Sequence, residues 1–186
     1  TGKTPSHLWI DSKSSTIYST MQESDELIAI DLATQTIKWR TATGSTPADV
    51  FGTTNDKFVL VALTGGDGVE VYDVSGKEPK RVKFIKTAMG AHAFRAFGDK
   101  RHLLVSNRVA NTISMIDLQT LEVVNSFAAP GGPDCMDVSR DLSQIIVTSR
   151  WIRKLTFIDV ASRKVVRQIN VGRSPHGVWT LDHSPR

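Results

Sequence analysis

Short runs of apolar and β-branched residues, separated by turn residues, fill almost the whole chain. The runs come in sets of four, in which the second run is the most apolar and the fourth alternates apolar with polar residues. This patterning predicts β-strands. The predicted first strands are His7–Ile10, Asp49–Phe51, Ala93–Phe97, Cys135–Val138 and Gly177–Leu181; the second are Thr16–Ser19, Phe58–Leu63, His102–Ser106 and Gln144–Thr148; the third are Leu27–Asp31, Val69–Asp73, Thr112–Asp117 and Leu155–Asp159; the fourth are Thr36–Thr41, Arg81–Lys86, Glu122–Phe127 and Lys164–Val171.

Two landmarks repeat along the chain with one period. The first set lies 42, 44, 42 and 42 residues apart, at Pro5, Pro47, Ala91, Pro133 and Pro175. The second ends each third strand with steps of 42, 44 and 42 residues, at Asp31, Asp73, Asp117 and Asp159. A period of this length filled with short strands predicts an all-β fold, a β-propeller of four-stranded antiparallel blades. We expect one domain, 1–186, with repeats at approximately 5–46, 47–90, 91–132 and 133–174 and a terminal strand in 175–186.

The turns between the strands have simple chemistry. Gly65, Gly66, Gly68 and Asn111 lie between second and third strands, where residues that tolerate positive φ are expected. The aspartate at the end of each third strand can accept backbone N–H groups of the following turn. Because a catalytic acid seldom needs a copy in every repeat, we interpret these aspartates as structural.

Charge is unevenly distributed along the chain. Residues 1–90 contain 10 Lys and Arg against 11 Asp and Glu, whereas residues 91–186 contain 13 against 8. A basic half favours an anionic partner, although a solvated outer face has the same composition. No apolar run approaches the ~18 residues that span a bilayer. The single cysteine, Cys135, excludes an intrachain disulfide and is expected to be small and buried.

One candidate site lies directly after the proline landmark, where a strand begins. Polar or titratable residues stand there in successive repeats, and the candidates are His92, Asp134, His176, Asp49 and His7. In a propeller these positions lie at the mouth of the central channel, where histidine and carboxylate side chains can hold a ligand or act as acid and base. No His-x-x-x-His spacing indicates a metal, so no metal is assigned, and the cofactor is unknown. Solvated rim residues are the alternative.

A second candidate site is basic. It consists of residues on loops of one face and on an inner strand, namely Arg108, Arg150, Trp151, Arg153, Arg173 and Arg95. Guanidinium groups beside an exposed aromatic ring can bind phosphate, carboxylate or unstacked bases. The alternative is that these arginines are ordinary loop charges, while Trp9 and Phe51 are expected to be packed in the interior.

The repeat resembles the YVTN-type β-propeller repeat family. The resemblance is carried by Ile145–Ser149, Leu155–Asp159, Lys164–Val166 and Val171–Val178, and it extends over essentially the whole chain. It implies a ring of seven blades, of which this chain supplies about four plus one extra strand. The remaining blades of such a ring would be N-terminal blades missing from this sequence. A compact four-bladed ring, or closure by a second chain, are the alternatives. The resemblance also implies a periplasmic or extracellular bacterial or archaeal protein.

The function predicted from these features is a binding module. Its loop-built, partly basic face would take an anionic ligand, a single-stranded nucleic acid or a protein partner. The alternative is a propeller enzyme or cofactor-holding domain of the lactonase-like, haem-binding or dehydrogenase large-subunit type, with its site at the channel mouth. No phosphate-binding loop, nucleophile elbow or Cys-x-x-Cys motif supports another chemistry.

Overall fold

The computed structural model describes residues 2–185, which form two compact units, 2–86 and 87–185, built from β-strands. In the first unit the strands are β1 Pro5–Ile10, β2 Thr16–Met21, β3 Glu26–Asp31, β4 Ile37–Ala42, β5 Pro47–Gly52, β6 Phe58–Leu63, β7 Gly68–Asp73 and β8 Lys80–Lys86. In the second unit they are β9 Ala91–Ala96, β10 His102–Asn107, β11 Thr112–Asp117, β12 Glu122–Ala128, β13 Pro133–Val138, β14 Gln144–Ser149, β15 Lys154–Asp159 and β16 Lys164–Asn170. Among residues 2–185 there is no helix able to cross a membrane.

Each set of four consecutive strands forms one antiparallel sheet in sequence order. The predicted all-β fold of four-stranded antiparallel blades is therefore confirmed, with strand ends shifted by one or two residues. In every blade the pairing of the first and second strands is interrupted directly after the landmark residue; in β13 the register shifts between Pro133 and Met136. Such bulges change the direction of side chains, and the first candidate site lies in them.

The apolar core explains which strands are central. In the second unit one cluster contains residues from both blades, including Leu104, Ile113, Phe127, Val138 and Ile145. Strands β10 and β14 contribute continuous buried runs, whereas β12 and β16 are mostly exposed. In the first unit Trp9 packs on Phe51 with ring centroids 4.6 Å apart, as expected. The alternation of the fourth strand thus marks an outer edge, and the apolar second strand marks the interior.

The periodic aspartates have the predicted structural role. The carboxylate of each accepts a backbone N–H of the following turn, from Thr34, Ser75, Gln119 and Ser162 for Asp31, Asp73, Asp117 and Asp159 in that order. The pKa of all four groups is lowered, chiefly by the Thr34 backbone N–H for Asp31 and chiefly by the side-chain hydroxyls of Ser75 and Ser162 for Asp73 and Asp159. In Asp117 the hydrogen bond from Arg101 is the largest cause, and the pKa falls to about 2.

Two sequence predictions need correction. Residues 175–181, predicted as a terminal strand, lie outside the strands, because within the described chain they have no partner strand; only His183 forms an isolated bridge, with Ser139. Asn111 has the expected positive φ of 57°, but the glycines at 65–68 do not. A Cβ at Gly68 would lie 2.3 Å from the carbonyl oxygen of Ile85, so close backbone approach, rather than φ, requires glycine there.

Candidate functional site

A buried aspartate, Asp134, lies at the centre of a charged cluster in the second unit. Its side chain is 0% exposed. Oδ1 of Asp134 lies 3.2 Å from Nε2 of His92 and 3.6 Å from Nε2 of His176. Oδ2 accepts hydrogen bonds from Arg108 Nη2 at 2.7 Å and from Arg150 Nη1 at 3.1 Å. The two carboxylate oxygens therefore have different partners, histidines on one and guanidinium groups on the other.

The repeat itself positions these side chains. His92 and Asp134 occupy equivalent places in the bulges of β9 and β13, and His176 follows its landmark proline in the same way. Arg108 and Arg150 each begin a turn after a second strand. There the backbone N–H of Arg108 binds the carbonyl of Gly90 at 2.8 Å, and that of Arg150 binds the carbonyl of Gly132 at 3.0 Å. The structure thus brings His92, Asp134 and His176 of the first predicted site together with Arg108 and Arg150 of the second.

Electrostatics keep Asp134 ionised. Burial acts to raise its pKa, but the hydrogen bond and charge of His92, the charge of Arg108 and the hydrogen bond from Arg150 outweigh burial, so its pKa lies well below the usual range. Burial lowers the pKa of Arg108, against the carboxylate of Asp134, which raises it. Both arginines remain charged. The single negative charge of Asp134 therefore balances only one of the two half-buried guanidinium groups, those of Arg108 and Arg150.

Hydrogen bonding in the cluster is incompletely matched. His92 Nε2 faces both Asp134 Oδ1 and, within hydrogen-bond distance, Arg108 Nη2. A protonated Nε2 presents its N–H to another donor, whereas an unprotonated Nε2 presents its lone pair to a carboxylate oxygen. Nε of Arg108 is also buried with no hydrogen-bond partner in the described chain. Neither protonation state of Nε2 satisfies both of its neighbours.

Cys135 is half-buried rather than buried, which corrects the expectation for this thiol. Its Sγ lies 3.7 Å from Oδ1 of Asp134 and 3.8 Å from Nδ1 of His176. Asp134 and Cys135 are neighbours in the bulge of β13, but their side chains have different surroundings. The side chain of Asp134 is buried, whereas Cys135 remains accessible.

The remaining loop arginines surround this cluster in the sequence and are exposed. We define the basic end of the second unit as residues 87–92, 107–112, 128–134, 149–154 and 170–176. Its cationic side chains are Arg108, Arg150, Arg153, Lys154 and Arg173, and Asp134 is its one acidic residue. Arg153 and Arg173 are exposed, and Trp151 is 55% exposed. A Cβ at Gly132 would lie 2.5 Å from the Trp151 indole, so this ring covers the glycine and leaves its other side to solvent.

Arg95 does not belong to the exposed basic surface, and its prediction as a ligand-binding residue is not supported by its position. Its side chain is 3% exposed, and its Nε donates to Asp137 Oδ1 at 2.9 Å. Its Nη2 donates to the carbonyl of Ser184 at 2.7 Å, and the other Asp137 oxygen accepts the N–H of Thr180 at 2.8 Å. Arg95 and Asp137 therefore hold residues 180–184 against the blades.

The Asp137 partner was missed by sequence reasoning, although the chain contains a signal for it. Arg95 and Asp137 are 42 residues apart, as are His92 and Asp134. Opposite charges at equivalent positions of neighbouring repeats therefore indicate contacts between blades. In the first unit the other two candidates also pair, since His7 Nδ1 lies 2.9 Å from Asp49 Oδ1.

Comparisons with known proteins agree with this architecture. No curated protein sequence matches the chain significantly. Among solved structures, Kuenenia stuttgartiensis hydrazine synthase superposes with a TM-score of 0.76 and 25% sequence identity over 94% of this chain. The match covers 51% of that structure's chain, so this chain spans about half of its length. The sequence model of the YNCE-like beta-propeller family matches residues 1–186, and the chain therefore belongs to the YNCE-like beta-propeller family.

Proposed function

We propose that this chain is a non-enzymatic binding module whose basic end takes a single-stranded nucleic acid. The observation that carries the proposal is the combination, on one set of loops, of exposed arginines with an exposed Trp151 ring and no exposed acid. Arginines bind phosphates, and an accessible indole stacks on unpaired bases. Because every base has a stacking face, such binding is tolerant of sequence.

The structure distinguishes the arginines that a ligand can use from those that build the site. Arg108 is 18% exposed and Arg150 is 34% exposed, and both bind Asp134. Removing either arginine uncovers the buried carboxylate of Asp134. Loss of binding in such a variant could then result from a lost contact with the ligand or from a disturbed site. Arg153 and Arg173 are exposed. They are the residues whose replacement tests ligand binding alone.

The experiment measures fluorescence anisotropy of a labelled oligothymidine of about 16 nucleotides, a length within the site sizes of single-strand binders. We expect binding that weakens with salt, and a double Arg153→Ala/Arg173→Ala variant whose log–log salt slope is smaller by about 1.4, at about 0.7 per phosphate contact. The matched control is Lys3→Ala/Lys86→Ala, which removes the two cations from the corresponding strand ends of the first unit, where Lys3 is the counterpart of Arg173.

Three results contradict the proposal, two of them from the oligonucleotide titration itself. One is absence of binding at low salt, and the other is an equal salt slope for the arginine variant and the lysine control. Binding of an acidic protein, but of no oligonucleotide, also contradicts it and favours a protein partner.

The setting and the narrower family remain proposals. The YVTN-type assignment and the periplasmic or extracellular location are supported by the repeat resemblance, and the ring size and the number of blades are proposed on the same basis. The alternative of a propeller enzyme or cofactor-holding domain is favoured by the cluster of His92, Asp134 and His176. Hydrazine synthase, by its name, is an enzyme, which gives the alternative further support.

A further inference from the structure

We infer that Nε2 of His92, Oδ1 of Asp134 and Nε2 of His176 form a binding site for a divalent transition metal such as Zn²⁺. The site lies beneath the loops of the proposed nucleic-acid surface and goes beyond that function. Three donor atoms from these residues lie within 4.8 Å of one another. The 42-residue spacing places the three residues at equivalent positions of successive repeats, but no short-range ligand spacing marks them as a metal site.

The separations between Asp134 Oδ1 and the two histidine nitrogens fit a tetrahedral ion. Zn–N and Zn–O bonds of about 2.0–2.1 Å in tetrahedral geometry separate the ligand atoms by about 3.3 Å. The observed separations of Asp134 Oδ1 from the two histidine nitrogens are 3.2 and 3.6 Å. Two imidazoles and one carboxylate are a ligand set suited to zinc and to other divalent first-row metals, and three protein ligands leave a position for water.

The second carboxylate oxygen is already fixed. Arg108 and Arg150 both bind Oδ2 of Asp134, which holds Oδ1 toward the histidines. Ligating carboxylates in metal sites are themselves held by such outer hydrogen bonds. A cation bound to Oδ1 and to Nε2 of His92 takes the two lone pairs that otherwise face each other, while Arg108 Nη2 keeps its hydrogen bond to Oδ2.

The site has an entry path, because the three ligands differ in exposure. The side chains of His92 and Asp134 are 6% and 0% exposed, whereas that of His176 is 48% exposed. A metal can therefore enter past His176. His176 can be replaced without opening the core.

The positive charges of Arg108 and Arg150 weaken the binding of a metal ion at this site. The proposal therefore predicts that removing one of these charges strengthens metal binding. Like charges close together in a partly buried site repel. We expect Arg150→Met to tighten metal binding by about tenfold, equivalent to about 1.4 kcal/mol, because Arg108 continues to hold Oδ2. The same variant should weaken or leave unchanged the binding of oligothymidine, so the two proposals respond in different directions.

The test uses the chelator-treated chain titrated with ZnCl₂ in a calorimeter, and with CoCl₂ while visible absorption is recorded. We expect one equivalent of each metal to bind, with the intense visible bands of tetrahedral Co²⁺. His176→Ala and His92→Ala should each abolish this binding, whereas His102→Ala, at the opposite end of the unit, should not change it. His102 pairs with Asp99 and has no part in the cluster.

The outcomes separate the proposals. Failure to bind Zn²⁺ or Co²⁺, or unchanged binding in His176→Ala, overturns the metal site whatever the oligonucleotide result. Cys135→Ser should retain binding; a loss there overturns the three-residue ligand set in favour of a thiolate ligand. If the chain binds metal but does not bind oligothymidine, the result supports the metal site and contradicts only the proposed function.

Discussion

The two units share one strand plan and differ in what they present at equivalent strand ends. In the basic end of the second unit there are five lysines or arginines and one buried acid. The equivalent residues of the first unit, 2–6, 21–26, 42–48, 63–68 and 84–86, contain four acids and two lysines. At the place of Asp134 the first unit has Ser6 and Ala48, and at the places of Arg108 and Arg150 it has Gln22 and Thr64.

The comparison shows which positions the fold leaves open. The bulge after each landmark is present in all four blades, whether it carries serine, alanine, histidine or aspartate. Backbone pairing in the neighbouring strands defines the bulge, so its side chains are free to vary. In the first unit Ala48 fills this place and its carbonyl accepts a hydrogen bond from the Thr20 hydroxyl. Function is thus carried by side chains on a common scaffold.

The largest test of the comparison replaces Asp134 by alanine. The change leaves two guanidinium groups and His92 without their counter-charge, and we expect a loss of about 3–5 kcal/mol in the free energy of unfolding. Asp49→Ala, in the bulge of β5 in the first unit, should cost about 1 kcal/mol or less, because its partner His7 is partly exposed. Chemical denaturation measures both, and equal costs would contradict the distinct role of the second unit.

The next test concerns the segment held by Arg95. In Arg95→Ala the buried Asp137 keeps its hydrogen bonds from the N–H groups of Val138 and Thr180 but loses the guanidinium. We expect a smaller loss than for Asp134, about 2–3 kcal/mol. Amide hydrogen exchange in Arg95→Ala should be faster than in the unchanged protein, and the increase should begin in residues 180–184. Unchanged protection there would show that Arg95 does not secure this segment.

A third test compares two exposed aromatic rings that each cover a glycine. Trp151 lies over Gly132 in the second unit, and Phe84 lies over Gly68 in the first. Trp151→Ala should weaken oligothymidine binding about tenfold, as expected for one stacked base. Phe84→Ala should leave the affinity unchanged. Equal losses in both variants, measured by anisotropy, would place the ligand elsewhere.

The smallest effect expected is a pH dependence that differs between the units. Asp117 has a pKa lowered to about 2, chiefly by the hydrogen bond from Arg101, against a usual value of 3.8. Because the folded-state pKa is the lower one, this stabilisation is present above about pH 4 and is lost as the pH falls toward 2. Asp31 lacks an arginine partner, and its pKa is lowered chiefly by the Thr34 backbone N–H.

Thermal unfolding between pH 7 and pH 2 measures this difference. Asp117→Asn should flatten the acid side of the stability curve more than Asp31→Asn does. Arg101→Ala should behave like Asp117→Asn, and a parallel acid limb in all three variants would contradict the assignment.

Much of the fold was predictable because it depends on local chemistry. The strands, their order in each blade and the carboxylate turns after Asp31, Asp73, Asp117 and Asp159 follow from patterns within a few residues. The predicted terminal strand failed because a strand also needs a neighbour, which sequence similarity to other first strands does not supply. Arg95 was misassigned because a cation on a strand that faces the interior needs a buried partner, and that partner lies in the next repeat.

The sequence by itself determined the period, the blade and the residue types at each repeated position, because these are written in short-range alternation and spacing. Only the tertiary structure decided that His92, Asp134, His176, Arg108 and Arg150 meet around one carboxylate. The physical reason is that these contacts join residues of different blades. Their distances are fixed by the bulges and by packing between sheets, which no local pattern records.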